Sequence, residues 1–458
     1  MGGAFKALVV LASVALTACS VPQDAPLTTR AVIADTSLPP IKSFGNAPVA
    51  PASRSNADMA RDFLDLSFSL ESGRALPAMT RFEGPITVRL NGTVTDTMRS
   101  DLKVLLARLR SEARINISEI SSGAANITIH AVTRRNIRRA LPNAACFVVP
   151  NVQDLSDYRL SRASQKTDWS RLSKRENIAI FLAYDTSPQD IRDCLHEELA
   201  QALGPLNDLF RLSDSVFNDD NFQSVLTGFD MLMLRAYYDP SLRNGMTRDQ
   251  AAARIRSILA RINPRGERIA SAPLQATPDT WKSLITTALG APGGNQRLVA
   301  ARRALRLALD LGWQDHRLAF SHYALARQLR GQDLDKARVH FLRAAEIYAN
   351  VASDGPQHSH MLIQLAAFDI SIGDPDSALA RLNQAQPIAI KSQNAAQLAS
   401  ALMLRSEAHL MLAQTDNARR ARLDSLGWAR YGFGPDWAVQ ARLREIAALN
   451  PQNTRPRT

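Results

Sequence analysis

The sequence predicts an α+β domain followed by an all-α region of helical repeats. Between residues 56 and 264, segments with the period of a strand alternate with segments with the period of a helix. Beyond about residue 264 the strand patterns stop, and Ala- and Leu-rich segments recur with one internal spacing. The length of 458 residues suits two to four domains of ordinary size.

The N-terminus has the features of a secretory signal. Lys6 supplies a positive charge, and residues 7–16 form an apolar run too short to span a bilayer comfortably. The next residues, Leu16-Thr17-Ala18-Cys19, resemble a bacterial lipobox. The resemblance implies that residues 1–18 are removed as a signal peptide and that Cys19 is acylated; the alternative is an ordinary cleaved signal with an unrelated cysteine.

The lipobox resemblance also implies a location in the cell envelope. Because Ser20 rather than an aspartate follows the cysteine, we expect a lipid-anchored protein on the periplasmic side of the outer membrane. Residues 19–55 contain six prolines among Ala, Ser and Thr, a composition that predicts a flexible linker between the anchor and the body.

The first folded domain is predicted over residues 56–264. A Leu- and Phe-rich segment at 63–70 has a pattern that suits either a helix or a strand. Strands are predicted at 86–90, 115–120, 127–132, 146–149 and 178–184, and helices at 95–114 and 188–203. This order of elements suggests an α+β or three-layer domain, and we expect the α+β class.

Two cysteines remain once Cys19 is assigned to the lipid anchor. Cys146 and Cys194 would lie in an oxidising compartment, so we expect one disulfide between them; two separate buried thiols are the alternative.

The second domain is predicted over residues 265–458. Short turns at 293–294, 331–333 and 373–375 each precede a helix with small or apolar residues at matching positions. These positions are Ala300 and Ala304, then Ala337, Phe341 and Ala344, then Ala378, Leu382 and Ala385. The pattern resembles a tetratricopeptide-type array over residues 277–434, which implies stacked helix pairs that hold a protein or peptide partner; a generic helical bundle is the alternative.

The segment 194–208, which reads Cys-Leu-His-Glu-Glu-Leu-Ala-Gln-Ala-Leu-Gly-Pro-Leu-Asn-Asp, is the candidate site. A His-Glu-x-x-His zinc motif starting at His196 fails, because position 200 is Ala. Shifted by one residue, Glu197, Glu198, Gln201, Gly204 and Asn207 stand where a metzincin has His, Glu, His, Gly and His. Residues four apart share a helix face, so Glu197 and Gln201 are predicted to face one cleft.

Two further segments fit the same resemblance. Ser215-Val216-Phe217 is similar to the region of the metzincin methionine turn, with Phe in place of Met. Residues 226–240 resemble the last helix of matrix-metalloprotease-like domains. Residues 57–245 as a whole resemble an uncharacterised family of bacterial secreted lipoproteins, so the α+β domain is predicted to be zincin-like.

The departures from the metzincin pattern open three interpretations. In the first, the zincin-like domain is degenerate and has lost its metal. In the second, a divalent ion is held by Glu197, Gln201, Asn207 and Asp208, and Glu198 is the catalytic general base. In the third, the two glutamates form a solvated helix face. Carboxylate and amide oxygens suit Ca²⁺, Mg²⁺ or Mn²⁺ better than zinc. We expect His196, on another face of the helix, to be a structural or surface histidine rather than a ligand.

The sequence is therefore interpreted as a protein-binding or assembly lipoprotein without enzymatic activity or cofactor. The alternative is a metal-dependent, peptidase-like hydrolase.

The net charge of +12 comes from 47 Arg and 8 Lys against 43 acidic residues, and the densest basic cluster is at residues 134–139. That cluster could contact phosphate or lipid head groups, but a solvated helix face is the favoured interpretation. Because the sequence has no helix-turn-helix, zinc-finger or RNA-binding signature, we expect no nucleic-acid partner.

Overall fold

A computed structural model of the chain describes residues 38–45, 51–290 and 293–454. The predicted signal peptide, Cys19 and most of the predicted linker lie outside these residues. The described residues from 39 to 454 belong to one compact unit. The α+β part comes first along the chain and the helical part second, so the fold class is confirmed at this level.

The α+β part contains a five-stranded sheet. Along the chain, helices precede, separate and follow its strands. The predicted segment at 63–70, which suited helix or strand, lies mainly in the first helix. The elements are α1 (Asn56–Ser67), β1 (Ile86–Gly92), α2 (Asp96–Ser111), β2 (Ile117–Glu119), β3 (Ile127–Val132), α3 (Arg134–Ala140), β4 (Phe147–Pro150), α4 (Leu155–Ser161), β5 (Ile178–Ala183), α5 (Pro188–Leu203), α6 (Gly228–Tyr237) and α7 (Arg248–Ile262).

The strand order in the sheet is β2-β1-β3-β5-β4. The first four of these strands are parallel, and β4 runs antiparallel to β5 at the edge. Every residue of β5 is buried, which explains its unbroken apolar sequence from Ile178 to Ala183. The chain passes directly from this inner strand to α5, which packs on the sheet and carries the candidate motif.

The helical part consists of helices that each pack mainly on the next one along the chain. Its helices are α8 (Asp279–Leu289), α9 (Gly294–Asp310), α10 (His316–Leu329), α11 (Leu334–Val351), α12 (Pro356–Ser371), α13 (Pro375–Lys391), α14 (Ala395–Met411), α15 (Thr415–Phe433), α16 (Asp436–Ala447) and α17 (Pro451–Thr454). The small residues Ala300, Ala337 and Ala378 are buried, as close helix packing requires. Among the described residues no helix has the length and apolar character needed to cross a membrane.

The loop between α5 and α6 joins the two parts. Phe210 and Phe222 leave the α+β part and enter the aromatic core of the helical part, where Phe210 packs edge-on against Trp281. Gln357 on α12 donates a hydrogen bond to the buried Asp220, with 3.0 Å between nitrogen and oxygen. The segment that follows the candidate motif is thus held from both sides.

A disulfide joins Cys146 to Cys194, whose Cα atoms are 6.0 Å apart. The two cysteines predicted to pair are therefore paired in the structure. The bond ties the start of the edge strand β4 to the middle of α5, and so fixes the distance between the two walls of the cleft described below.

The C-terminal end of α5 is held by a buried arginine. Arg175, which is 2% exposed, donates to the backbone carbonyls of Gln201, Ala202 and Gly204 at 2.6, 2.7 and 2.6 Å. Its guanidinium also lies 5.1 Å from the ring centroid of Trp169. A cation at this end of a helix satisfies carbonyls that lack a partner within the helix and interacts favourably with the helix dipole.

We predict that Arg175→Met lowers the free energy of unfolding by about 2–5 kcal/mol, because three buried carbonyls lose their donor. Lys174→Met is the matched control, since Lys174 is exposed and pairs with the exposed Glu176. Urea denaturation followed by circular dichroism measures both variants. Equal stability of the two variants would contradict the role of Arg175.

Candidate functional site

The candidate motif lines a cleft of about 610 Å³ between α5 and the edge strand β4. Glu197, Glu198 and Gln201 face the cleft from α5, while Phe147 and Val148 line it from β4. Glu197 and Gln201 share this cleft because they are one helical turn apart. The loop at residues 141–146 and Trp169 complete the walls.

Glu198 is the most deeply buried acid of the cleft lining. Glu198 is only 5% exposed. Its Oε2 atom has no hydrogen-bond partner among the described residues. A buried carboxylate oxygen without a partner is costly for folding, and such groups concentrate at functional sites.

A further acid, Glu71, belongs to the same site, and the sequence analysis did not identify it. Glu71 lies in the turn that follows α1, where Gly73 adopts a φ of 80° that favours glycine. Its Oε1 accepts a hydrogen bond of 3.3 Å from Nε2 of Gln201. No pattern near residue 71 indicates this role, because the contact joins segments 130 residues apart.

Asp208 joins the acidic cluster from the other side, and Asn207 does not. Asp208 is buried, its Oδ1 atom has no hydrogen-bond partner among the described residues, and burial together with the neighbouring Glu71 raises its pKa. The Nδ2 atom of Asn207 instead donates to the backbone carbonyl of Asp65 at the end of α1, at 2.9 Å. The predicted ligand set of Glu197, Gln201, Asn207 and Asp208 is thus divided between the cleft and a structural contact.

Gly204 allows the chain to turn back toward α1 after the helix. A Cβ atom at this position would lie 3.0 Å from the ring of Tyr237, so a larger residue would displace α6. The next segment then pairs with α1, where Leu206 N donates to Leu66 O at 3.1 Å. The glycine of the motif is therefore required by close packing.

His196 has a structural role, as expected from its position on the helix. Its ring Nδ1 accepts a hydrogen bond of 3.1 Å from the backbone N–H of Leu226, and burial lowers its pKa well below the ordinary value. Within residues 38–45, 51–290 and 293–454, no three or more His, Cys, Asp or Glu side chains are grouped as a metal site requires.

The turn at residues 215–217 is fixed to α6 by the buried Asp230. This carboxylate accepts hydrogen bonds from the hydroxyl of Ser215 and from the backbone N–H groups of Val216 and Thr227. Burial raises the pKa of Asp230 to about 6, although these hydrogen bonds favour its charged form. The two segments that resemble metzincins in sequence are therefore in direct contact.

The acids of the cleft raise one another's pKa values. Burial and the neighbouring Glu71 raise the pKa of Glu197 to about 7, and burial with Glu197 and Glu71 raises that of Glu198 well above its ordinary value. Burial and Glu71 likewise raise the pKa of Asp208. The same two causes raise the pKa of Asp219 to about 6. The proximity of these acids therefore favours their neutral forms, and a positive charge placed beside them would favour the charged forms.

Residues 56–257 match the family described as "Protein of unknown function (DUF2927)". This part of the chain is a DUF2927 domain. The match covers the sheet, the cleft and helices α1 to α6, and supports the resemblance to an uncharacterised family. No curated protein sequence matches the chain. The acidic cluster of the DUF2927 domain lies entirely within the matched residues.

We predict that Glu197→Gln stabilises the protein at pH 8 and has little effect at pH 5. The pKa of Glu197 is about 7 in the folded chain and 4.5 in its ordinary state, so the unfolded chain releases this proton first. The stability contributed by protonated Glu197 is complete below pH 4.5 and is lost as the pH rises to about 7.

The expected gain in the free energy of unfolding at pH 8 is about 1–3 kcal/mol, measured by urea denaturation at both pH values. Glu176→Gln serves as the control, because Glu176 is exposed and lies outside the cluster. A gain at pH 5 as large as that at pH 8 would show that Glu197 is not electrostatically strained.

Proposed function

We propose that this protein is a lipid-anchored protein of the cell envelope that binds other proteins, and that its cleft receives a basic side chain of an extended peptide segment. The observation that carries the proposal is the buried, unpartnered Oε2 of Glu198 beside Glu197 and Glu71. Within the described residues no Lys, Arg or His forms an ion pair with these three acids. A ligand ammonium or guanidinium group would supply the missing donors and charge.

The edge strand supports an extended peptide as the ligand. β4 is the last strand of the sheet, so one side of its backbone has no neighbour among the described strands, and Phe147 and Val148 of this strand line the cleft. An extended segment can add to such an edge through main-chain hydrogen bonds, while one side chain enters a pocket. The acids of α5 face the same space.

A degenerate zincin-like fold for the DUF2927 domain is part of this proposal. It is supported by the passage from the inner strand β5 directly into the motif helix and by the contact of the 215–217 turn with α6. Imidazole ligands of a zinc site are replaced by Glu197 and Gln201, and the amide nitrogen of Asn207 is used by Asp65. These features favour binding over hydrolysis.

A tetratricopeptide-like array in the helical part is proposed as a second binding surface. The helices α9, α11, α13 and α15 begin at Gly294, Leu334, Pro375 and Thr415, which gives steps of 40, 41 and 40 residues. Repeats of one length that pack on their neighbours build an extended surface suited to a protein partner.

A hydrolase that uses a divalent metal is the second candidate, favoured by the position of Glu198 in the cleft, where a general base is needed. Elemental analysis of protein purified without added metal separates the two functions. Stoichiometric zinc or manganese that is lost in Glu197→Gln would favour the hydrolase and contradict the proposed binding role of the cleft.

We predict that a short lysine-containing peptide binds the protein and that Glu198→Gln weakens its binding about tenfold, because a neutral amide cannot neutralise the ammonium group. Affinity should increase between pH 6 and pH 8, because Glu197, whose pKa is about 7, loses its proton in this range. Isothermal titration calorimetry measures both effects.

Two controls test whether the charge is responsible. The same peptide with norleucine in place of lysine should bind no better to the wild type than to Glu198→Gln, and Glu176→Gln should bind like the wild type. Equal affinity of the lysine and norleucine peptides would contradict recognition of a cation by the cleft.

For the anchor, we predict that the protein takes up labelled palmitate in cells and that Cys19→Ser abolishes the label. Two or more acyl chains give stable membrane attachment without a spanning helix. Cys146→Ser is the matched control and should keep the label, since Cys146 pairs with Cys194. Label retained by Cys19→Ser, or absent from the wild type, would contradict the proposed lipid anchor.

A further inference from the structure

The short helix α3 presents four exposed arginines on one side. Arg134, Arg135, Arg138 and Arg139 are exposed, while Ile137 and Ala140 are buried against the sheet. At about 100° per residue, the four arginines fall within an arc of about 140°, and the two buried residues lie on the opposite side. The side chains therefore point together into solvent.

The neighbouring helix α4 extends this basic surface. Arg159 donates to the carbonyl of Asn136 at 3.4 Å, and Arg162 donates to the carbonyl of Ala140 at 3.0 Å, so both guanidinium groups lie beside α3. Together these six arginines form what we call the arginine face (Arg134, Arg135, Arg138, Arg139, Arg159 and Arg162).

The negative charges around the arginine face do not balance it. Residues 134–162 contain these six arginines and two acids, Asp154 and Asp157. Asp157 is occupied by Lys166, and Asp185 on the adjoining loop accepts from the backbone N–H of Arg134. Across the described part of the chain, none of the six guanidinium groups forms an ion pair.

A large exposed apolar side chain adjoins this basic surface in the chain. Leu160, between Arg159 and Arg162, is 89% exposed, more than any other large hydrophobic residue that the structure describes. Clustered basic residues without ion-pair partners, with an exposed leucine nearby, are the composition of surfaces that bind anionic lipid, where the arginines contact phosphate groups.

We propose that the arginine face docks on an anionic phospholipid surface, independently of the lipid anchor. The loop at residues 141–146, which directly follows α3, forms part of the cleft wall, so docking would hold the mouth of the cleft near the membrane surface. The proposal does not depend on what the cleft binds.

The test uses the chain from residue 19 onward with Cys19→Ser, so that neither signal peptide nor acyl chain contributes. Sedimentation measures binding to phosphatidylglycerol–phosphatidylethanolamine vesicles and to neutral phosphatidylcholine vesicles. We expect binding to the anionic vesicles alone. The pair Arg138→Gln and Arg139→Gln should weaken binding about 10- to 30-fold, since each basic residue at an anionic surface contributes about fivefold.

The matched control is the pair Arg302→Gln and Arg303→Gln, which removes the same charge from an exposed position on α9. It should bind like the parent protein, and Leu160→Ser should bind more weakly than the parent protein. Equal loss in both arginine pairs, equal binding to neutral vesicles, release by millimolar inorganic phosphate, or no vesicle binding would each overturn the proposal. Thermal melting confirms that every variant is folded.

Discussion

The position of the cleft depends on how the C-terminal end of α5 is fixed. Arg175 places a buried positive charge against three backbone carbonyls at this end, where the helix dipole favours it. Among the described residues this guanidinium has no acidic partner, and it is tolerated because it makes charge-assisted hydrogen bonds to these carbonyls and lies over the ring of Trp169. With the helix end fixed, Gly204 can turn the chain back onto α1, and that return brings Asp208 to Glu71.

In the acidic cluster, unlike at Arg175, the burial of charged groups is not compensated in this way. Glu198 and Asp208 are buried and Glu197 is partly buried, near one another and near the exposed Glu71, and burial is the leading cause of the raised pKa values of Glu197, Glu198 and Asp208. A core of apolar residues in the same place would be more stable. Strain of this kind, held by a rigid helix, a disulfide and a capped helix end, is typical of a site that awaits a ligand of opposite charge.

The helical part supports the site without lining the cleft. Phe210 and Phe222 are inserted in its aromatic core, and Gln357 holds Asp220, so the loop after the motif has contacts on both sides. The cleft wall on the other side is attached through Cys146 and Cys194. The basic surface of α3 lies beyond that wall, which places three chemically different surfaces, acidic, basic and helical, on one compact unit.

The sequence alone predicted the five strands, the helices α2 and α5, the pairing of Cys146 with Cys194 and the face shared by Glu197 and Gln201, because these follow from local periodicity and from the assignment of Cys19 to the anchor, but it did not predict α3 and α4. It could not supply Glu71, which reaches the site through a turn 130 residues from Gln201. It also could not show that Asn207 serves Asp65, since an amide in a motif looks the same whether it faces a ligand or a backbone carbonyl. Such facts are decided by packing between distant segments, which no local pattern records.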